Sequence, residues 1–296
     1  MDQERLTQGL NEAELDRFNE DGFVVVDDLF SMEEVNTLRQ ACSAPEDQQW
    51  EKSDRLIHAL ELTVRHQAFL DLARDPRIVS RLQSLIGADI QLQHSKLAAQ
   101  PVQRQKGGFR WHQDFAFFPH TNTDLVAVMV MLDDATQDNG CMHMIRGSHK
   151  LGLLDHMDED GLFTGGCKES SVWEDHPERI APVMPKAGGI SIHHCLSLHS
   201  SGPNPSGAPR RGLVFQYRAD DAVQLADGVW QDTGVMVCGQ RRERARCDAG
   251  VLRLPKSRRY PAHPFGHAWN QEGSFAAAVN KANGFAPLRA EGQADG

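Results

Sequence analysis

The sequence predicts a mainly β fold, a sandwich or barrel with helices at its N-terminal side. Two observations lead there. From residue 89 onward short apolar segments recur, and between them lie turn-forming clusters: Gly107-Gly108, Asp138-Asn139-Gly140, Gly188-Gly189, and Gly202 through Pro209. Many short strands punctuated by Gly, Pro and Asn indicate a sandwich or barrel. The N-terminal stretch has a different texture. Leu15 and Phe18 sit at helical spacing within 11–21, and Asp21-Gly22 ends the run. Phe23-Val24-Val25-Val26 then reads as a buried strand, because β-branched residues fit a pleated surface. Ser31 and Glu34 form a capping box opening a helix to about Ala41. Residues 67–86 carry the apolar stripe Leu70, Val79, Leu82 and Ile86, with a break at Asp75-Pro76 and a stop at Gly87.

After Gly87, Ile90, Leu92, His94 and Lys96 alternate with Gln91, Gln93, Ser95 and Leu97, the period of a strand. Further strands are expected near 108–115, 124–132, 140–146, 188–194 and 211–218. The acidic stretch from Asp155 to Asp160 reads as a long loop over one mouth of the barrel. The chain, 1–296, is expected to be one domain with its core at about 18–220. Residues 221–296 form a weakly patterned C-terminal extension packing on that core.

Bulk properties narrow the function. A formal net charge of −10 repels phosphate backbones, which argues against nucleic acid as partner. The basic run Arg241 to Arg259 departs from that balance. A solvated late loop is the plain reading, and a docking patch for an anionic substrate tail the sharper one. Six cysteines include no C-x-x-C pair, which fits reduced thiols. The N-terminus has no apolar core of a signal peptide, and no segment has the ~20 apolar residues of a membrane span. A cytoplasmic protein acting on a small molecule, as monomer or homodimer, is the expectation.

Chemistry concentrates in a few of the 14 histidines. His112-Gln113-Asp114 falls in an expected strand, where side chains two apart share a face and place a nitrogen and a carboxylate donor together. His156-Met157-Asp158 has the same spacing and His176-Pro177-Glu178 nearly so, but both lie in polar, loop-like surroundings. The first triplet is flanked by Phe109, Trp111, Phe115, Phe117 and Phe118, a dry wall suited to oxygen chemistry. A second element, Gly188 to His194, is followed by His199 and, eleven residues later, by Arg210. If 199 and 210 flank a hairpin, they come near each other. His199 would complete a two-histidine, one-carboxylate triad, which leaves three positions of an octahedral Fe(II) open. His193 and His194 are rival ligands. A 2-oxo diacid chelating that iron buries its far carboxylate, which needs a fixed cation. Arg210 is the candidate, with Ser201 as a further donor, and Arg211 faces the other way.

The sequence resembles the phytanoyl-CoA dioxygenase family. The residues carrying the resemblance are Trp111-His112-Gln113-Asp114, Asp138-Asn139-Gly140-Cys141 leading to Gly147-Ser148-His149-Lys150, and His199-Ser200-Ser201-Gly202-Pro203-Asn204 with Arg210. It runs from about residue 18 to 220. The resemblance implies a double-stranded β-helix (jelly-roll, cupin-like) fold, and Fe(II), 2-oxoglutarate and O2 as cofactor and co-substrates. It implies metal ligation by His112, Asp114 and His199, and co-substrate binding by Arg210 and Ser201, with Lys96 assisting. Arg146 stands where relatives commonly have proline, Met129 at a co-substrate position where many have tryptophan, and Ala98 where some have asparagine. Asp114 argues against halogenation, since related halogenases replace that carboxylate by a small residue. The activity expected is hydroxylation of a small metabolite with release of succinate and CO2. Desaturation, endoperoxidation and ring rearrangement at the same centre are alternatives, as is a non-catalytic metal-binding jelly roll. Phe115, Phe117 and His143 are candidate substrate contacts, and the aromatic flank suggests an apolar or ring-bearing substrate portion.

Overall fold

The structure is a computed structural model that describes residues 8–42, 51–52, 57–100, 108–161, 163–226 and 232–254. The N-terminal helices form where their caps and apolar spacing allow. Helix α1 (Glu12–Asp21) opens on a reciprocal Asn11/Glu14 capping box, and α2 (Met32–Ala41) on the expected Ser31/Glu34 box. After the short α3 (Leu62–Arg65), Asp75-Pro76 divides the next helical stretch into α4 (Gln67–Ala73) and α5 (Pro76–Ile86). Asp75 caps α5 and proline takes its first turn, where no backbone N–H is needed.

Twelve strands follow in two sheets among the described residues. These are β1 (Phe23–Val26), β2 (Glu51–Lys52), β3 (Ile57–Leu60), β4 (Ile90–Gln100), β5 (Phe109–His112) and β6 (Leu125–Met131), then β7 (Met142–Ile145), β8 (Ile180–Val183), β9 (Ile190–His194), β10 (His199–Ser201), β11 (Arg210–Ala219) and β12 (Val235–Cys238). The large sheet runs β1-β9-β6-β11-β4-β3-β2, with β12 also on β4. The small sheet runs β5-β10-β7-β8. All recorded pairings are antiparallel. This is the jelly-roll, double-stranded β-helix architecture that the sequence implied.

Strand alternation divides the large sheet into two faces. Val128, Ile192, Leu213 and Phe215 face the helical layer and pack with Phe18, Val35, Leu38, Phe69 and Leu82. Tyr217 donates from its hydroxyl to the Ala73 carbonyl at 3.0 Å, tying sheet to α4. The other face meets the small sheet, where Ala98, Met129, Met131 and Val214 pack against Met142, Met144 and Val183. The functional cavity lies between these two sheets.

Two expectations are corrected here. The alternation from Ile90 to Lys96 does not keep one face. A register shift in the β11–β4 ladder pairs Gln216 with His94 but Tyr217 with Leu92, so Gln93 is an extra residue. Ile90 and Leu92 therefore pack in the helix-facing core, while Lys96 and Ala98 face the cavity. Nor do residues 199 and 210 flank a hairpin. β10 belongs to the small sheet and β11 to the large one, so the 202–209 connection crosses between layers. Strands β2, β3, β8 and β12 had no clear sequence signal. No helix of the described residues is long and apolar enough to cross a membrane.

Candidate metal centre

β5 delivers His112, and its antiparallel neighbour β10 delivers His199 directly opposite. The two imidazole rings lie 4.1 Å apart, centroid to centroid. β5 can press this close to β10 because Gly108 precedes it. A Cβ at Gly108, where φ is +97°, would sit 2.1 Å from the Ser201 carbonyl oxygen. The expected strand at 108–115 is shorter than predicted. It ends at His112, Gln113 is extended, and Asp114 opens a 3-10 turn through Ala116. Asp114 thus reaches the cavity by a turn rather than by strand alternation.

Gln113 holds that turn in place. Its amide nitrogen donates to the carbonyls of Gly152 (2.9 Å) and Leu196 (2.8 Å), and its amide oxygen accepts from Leu154 N (2.8 Å). Its backbone N–H donates to His156 Nε2 at 3.1 Å, so the His156 triplet supports this loop rather than offering ligands. His176 is exposed, with Glu178 at 3.4 Å from its Nδ1.

Ligand atoms of His112, Asp114 and His199 all lie within 4.8 Å of one another, and all three residues are buried. His112 Nε2 stands 3.9 Å and His199 Nε2 3.8 Å from Asp114 Oδ1. These separations exceed hydrogen-bond length, so the three polar atoms converge without satisfying each other. Nδ1 of His112 donates to the Arg110 carbonyl (2.7 Å) and Nδ1 of His199 to that of Ser197 (2.9 Å), which leaves both Nε2 atoms bare and aimed inward. Burial pushes His112 well below the usual histidine range and His199 down to about 4, so both are neutral donors. Burial alone would raise the Asp114 carboxyl. The adjacent His199 and His193, with Lys96, hold it well below its ordinary value, so it is ionised. Two neutral imidazoles and one carboxylate are the donor set of a 2-His-1-carboxylate ferrous site, and these residues fit that ion.

The same cavity is lined by Lys96, Met129, Ser201 and Arg210, bringing all the sequence-selected co-substrate residues together across the two sheets. Arg210 is 3% exposed, and its Nε has no hydrogen-bond partner. Burial lowers it to about 10 and Lys96 to about 8. A buried, still-charged guanidinium lacking a partner on one donor is a fitting seat for a carboxylate. Arg211 turns the other way to Asp133, 2.8 Å from its Nε.

The remaining candidates distribute differently. Phe117 packs edge-on against His112, centroids 5.3 Å apart, and against Phe163. Phe115 is fully buried with Phe118, Leu125 and Cys195, away from the cavity lining. His143 alternates with Met142 and Met144, which point into the core, and is half-buried on the opposite face of β7. His194 packs against His149 and Phe18. Among the described basic residues, Arg242 meets Asp89, Arg246 meets Asp124, Asp221 and Asp248, and Arg253 approaches Asp155. Their charge is spent on the chain's own carboxylates, as a solvated loop would do. Arg258 and Arg259 lie outside the described residues. Sequence reasoning passed over Gln216, whose amide nitrogen donates to Asp114 Oδ2 at 2.6 Å. Its signal was parity with Arg210 on β11, six residues on and hence on the same face.

The comparisons agree with this geometry. The family model for phytanoyl-CoA dioxygenase matches residues 18–212. A probable alpha-ketoglutarate-dependent hypophosphite dioxygenase of Stutzerimonas stutzeri is 31% identical over 266 residues, covering 83% of this chain and 91% of the relative. The ectoine dioxygenase of Halomonas elongata is 27% identical over 242 residues, 72% of this chain and 71% of that one. Among solved structures, the non-heme alpha ketoglutarate dependent carbocyclase SnoK superposes with a TM-score of 0.64 at 22% identity, covering 77% of this chain and 95% of that one. EctD from S. alaskensis with 2-oxoglutarate and 5-hydroxyectoine gives 0.59 at 22%, covering 73% and 80%. At that identity the two structures show the shared fold. With the family match and a relative above 30% identity, the chain belongs to the phytanoyl-CoA dioxygenase family of iron(II)- and 2-oxoglutarate-dependent oxygenases.

Proposed function

We propose that the protein hydroxylates a compact metabolite at an iron centre held by His112, Asp114 and His199, with release of succinate and CO2. The observation that carries this reading is the convergence of those three donors within 4.8 Å in a buried cavity that also receives Arg210. Bound iron supplies the activation of O2 and the oxidising step. The residues around it bind, orient and exclude water. Arg210 grips the far carboxylate of 2-oxoglutarate, Ser201 and Lys96 add donors, and Met129 forms the adjoining wall. Phe109 lines the cavity beside His112, and Phe117 backs that imidazole. Relatives are named for hypophosphite, ectoine, methylphosphonate and proline, all compact molecules. We take the substrate here to be of that size, with any apolar or ring-bearing portion against Phe109. All six cysteines are free thiols, which supports a reducing, cytoplasmic setting.

The test is spectroscopic first. Anaerobic addition of Fe(II) and 2-oxoglutarate is expected to give a weak visible charge-transfer band that Asp114→Ala and His199→Ala abolish. No band in the wild type at saturating concentrations removes the reading. Substrate-stimulated succinate release across a panel of small metabolites then identifies the substrate, and oxygen incorporation from labelled O2 separates hydroxylation from desaturation.

A further inference from the structure

We infer that His193 and Gln216 clamp the outer oxygen of Asp114, restricting this carboxylate to one metal bond and so keeping a coordination position open for O2. The inference rests on the iron reading above. The two oxygens of Asp114 have different surroundings. Oδ1 faces the bare Nε2 atoms of His112 and His199, while Oδ2 lies 3.1 Å from His193 Nε2 and 2.6 Å from Gln216 Nε2. An ionised carboxylate only accepts, so both nitrogens donate. That fixes the Gln216 amide with its nitrogen toward Asp114 and puts a proton on His193 Nε2. Each carboxylate oxygen has about two lone-pair sites, and two donors occupy those of Oδ2.

The clamp comes from outside the triad's own layer. His193 is on β9 and Gln216 on β11, both in the large sheet, whereas His112 and His199 come from the small one. Both clamping residues are almost fully buried, at 3% and 1% exposure. His193 Nδ1 and Gln216 Oε1 have no hydrogen-bond partner, so the Asp114 contact is the polar interaction these two side chains are seen to make. Burying half-satisfied polar groups costs stability, which a purely structural position would be expected to avoid. The coordination count supplies a reason. Two imidazoles, one carboxylate oxygen and two oxygens of 2-oxoglutarate fill five of six octahedral positions. A carboxylate binding through both oxygens fills the sixth. His193, which sequence reasoning left as a rival ligand, is on this view a positioning residue, its Nε2 turned to Oδ2 and its ring 4.7 Å from that of His199, centroid to centroid.

The experiment uses the full-length protein loaded anaerobically with Fe(II) and 2-oxoglutarate. Nitric oxide, standing in for O2, is titrated and followed by electron paramagnetic resonance of the iron–nitrosyl signal. Wild type is compared with His193→Phe/Gln216→Met, and His193→Gln tests whether a retained amide donor preserves function. The double variant is expected to keep the 2-oxoglutarate charge-transfer band but to bind nitric oxide at least about tenfold more weakly, the scale of outer-shell effects on metal sites. His193→Gln is expected to stay near wild type. Should the double variant fail to fold, Gln216→Met alone carries the comparison. A variant with its band intact and nitric oxide affinity within twofold of wild type overturns the clamp and leaves the iron reading standing. Absence of the band in the wild type overturns both.

Discussion

His112 and His199 face each other in direct antiparallel register, their rings 4.1 Å apart and both Nδ1 atoms tied to backbone carbonyls. Two candidate ligands held by one strand pairing behave as a unit. Removing either imidazole leaves the other with Asp114 alone, and two protein ligands with no added anion hold a ferrous ion more weakly than three. His199→Ala and Asp114→Ala are each expected to weaken Co(II) or Fe(II) binding by more than about 100-fold and to abolish succinate formation. Calorimetric titration of the apoprotein reads this directly. Retained affinity in His199→Ala would take residue 199 out of the triad.

Arg210 presents the complementary case, a buried cation lining the same cavity. Its guanidinium is buried and remains charged at neutral pH even though burial lowers it to about 10. Losing one partner of a buried charge pair costs roughly 2–5 kcal/mol. Arg210→Ala is therefore expected to raise the KM for 2-oxoglutarate by about 30-fold or more, with a smaller effect on the KM of the primary substrate. A change under threefold counts against this assignment.

If Lys96 contacts 2-oxoglutarate as proposed, co-substrate binding is sensitive to alkali. Burial brings its ammonium down to about 8, with Asp114 pulling the other way. The ammonium is charged below that pH and neutral above it. The KM for 2-oxoglutarate is thus expected to climb as pH passes from 7 to 9. In Lys96→Met it should start higher and stay flat over that interval. A wild-type profile that is equally flat would remove Lys96 from co-substrate binding.

How far the sequence was legible depended on whether a feature was local. Helix ends were readable because Ser31 and Glu34 solve the capping problem within four residues. The three converging donors were readable because the triplet and the residues around His199 carry local context. What escaped were relations between strands. A bulge at Gln93 reverses which side chains of β4 reach the cavity, and no residue there announces it. The crossing of 202–209 between sheets looks, in sequence, like a hairpin turn. Gln216 touches Asp114 across 102 residues, a contact that only the assembled barrel creates.

Burial also sets the acid limit of stability. His120 and His194 lie off the metal centre, and burial holds each down to about 4, well below the value near 6.5 of an unfolded chain. His120 gives Nδ1 to the Phe118 carbonyl at 2.6 Å, and His194 Nδ1 accepts from Leu196 N at 3.1 Å. Between pH 6.5 and 4 the unfolded chain binds protons that the folded chain refuses, so stability rises with pH across that window and is lost on acidification. The stabilisation is full above pH 6.5, and each group forfeits up to about 3 kcal/mol by pH 4. The Tm of the apoprotein should fall steeply from pH 6.5 to 4.5. His194→Gln removes one such group, so its Tm should fall less steeply over the same interval while lying below wild type at pH 7.5. Parallel slopes for the two proteins would show that His194 is not among the groups resisting protonation in the fold.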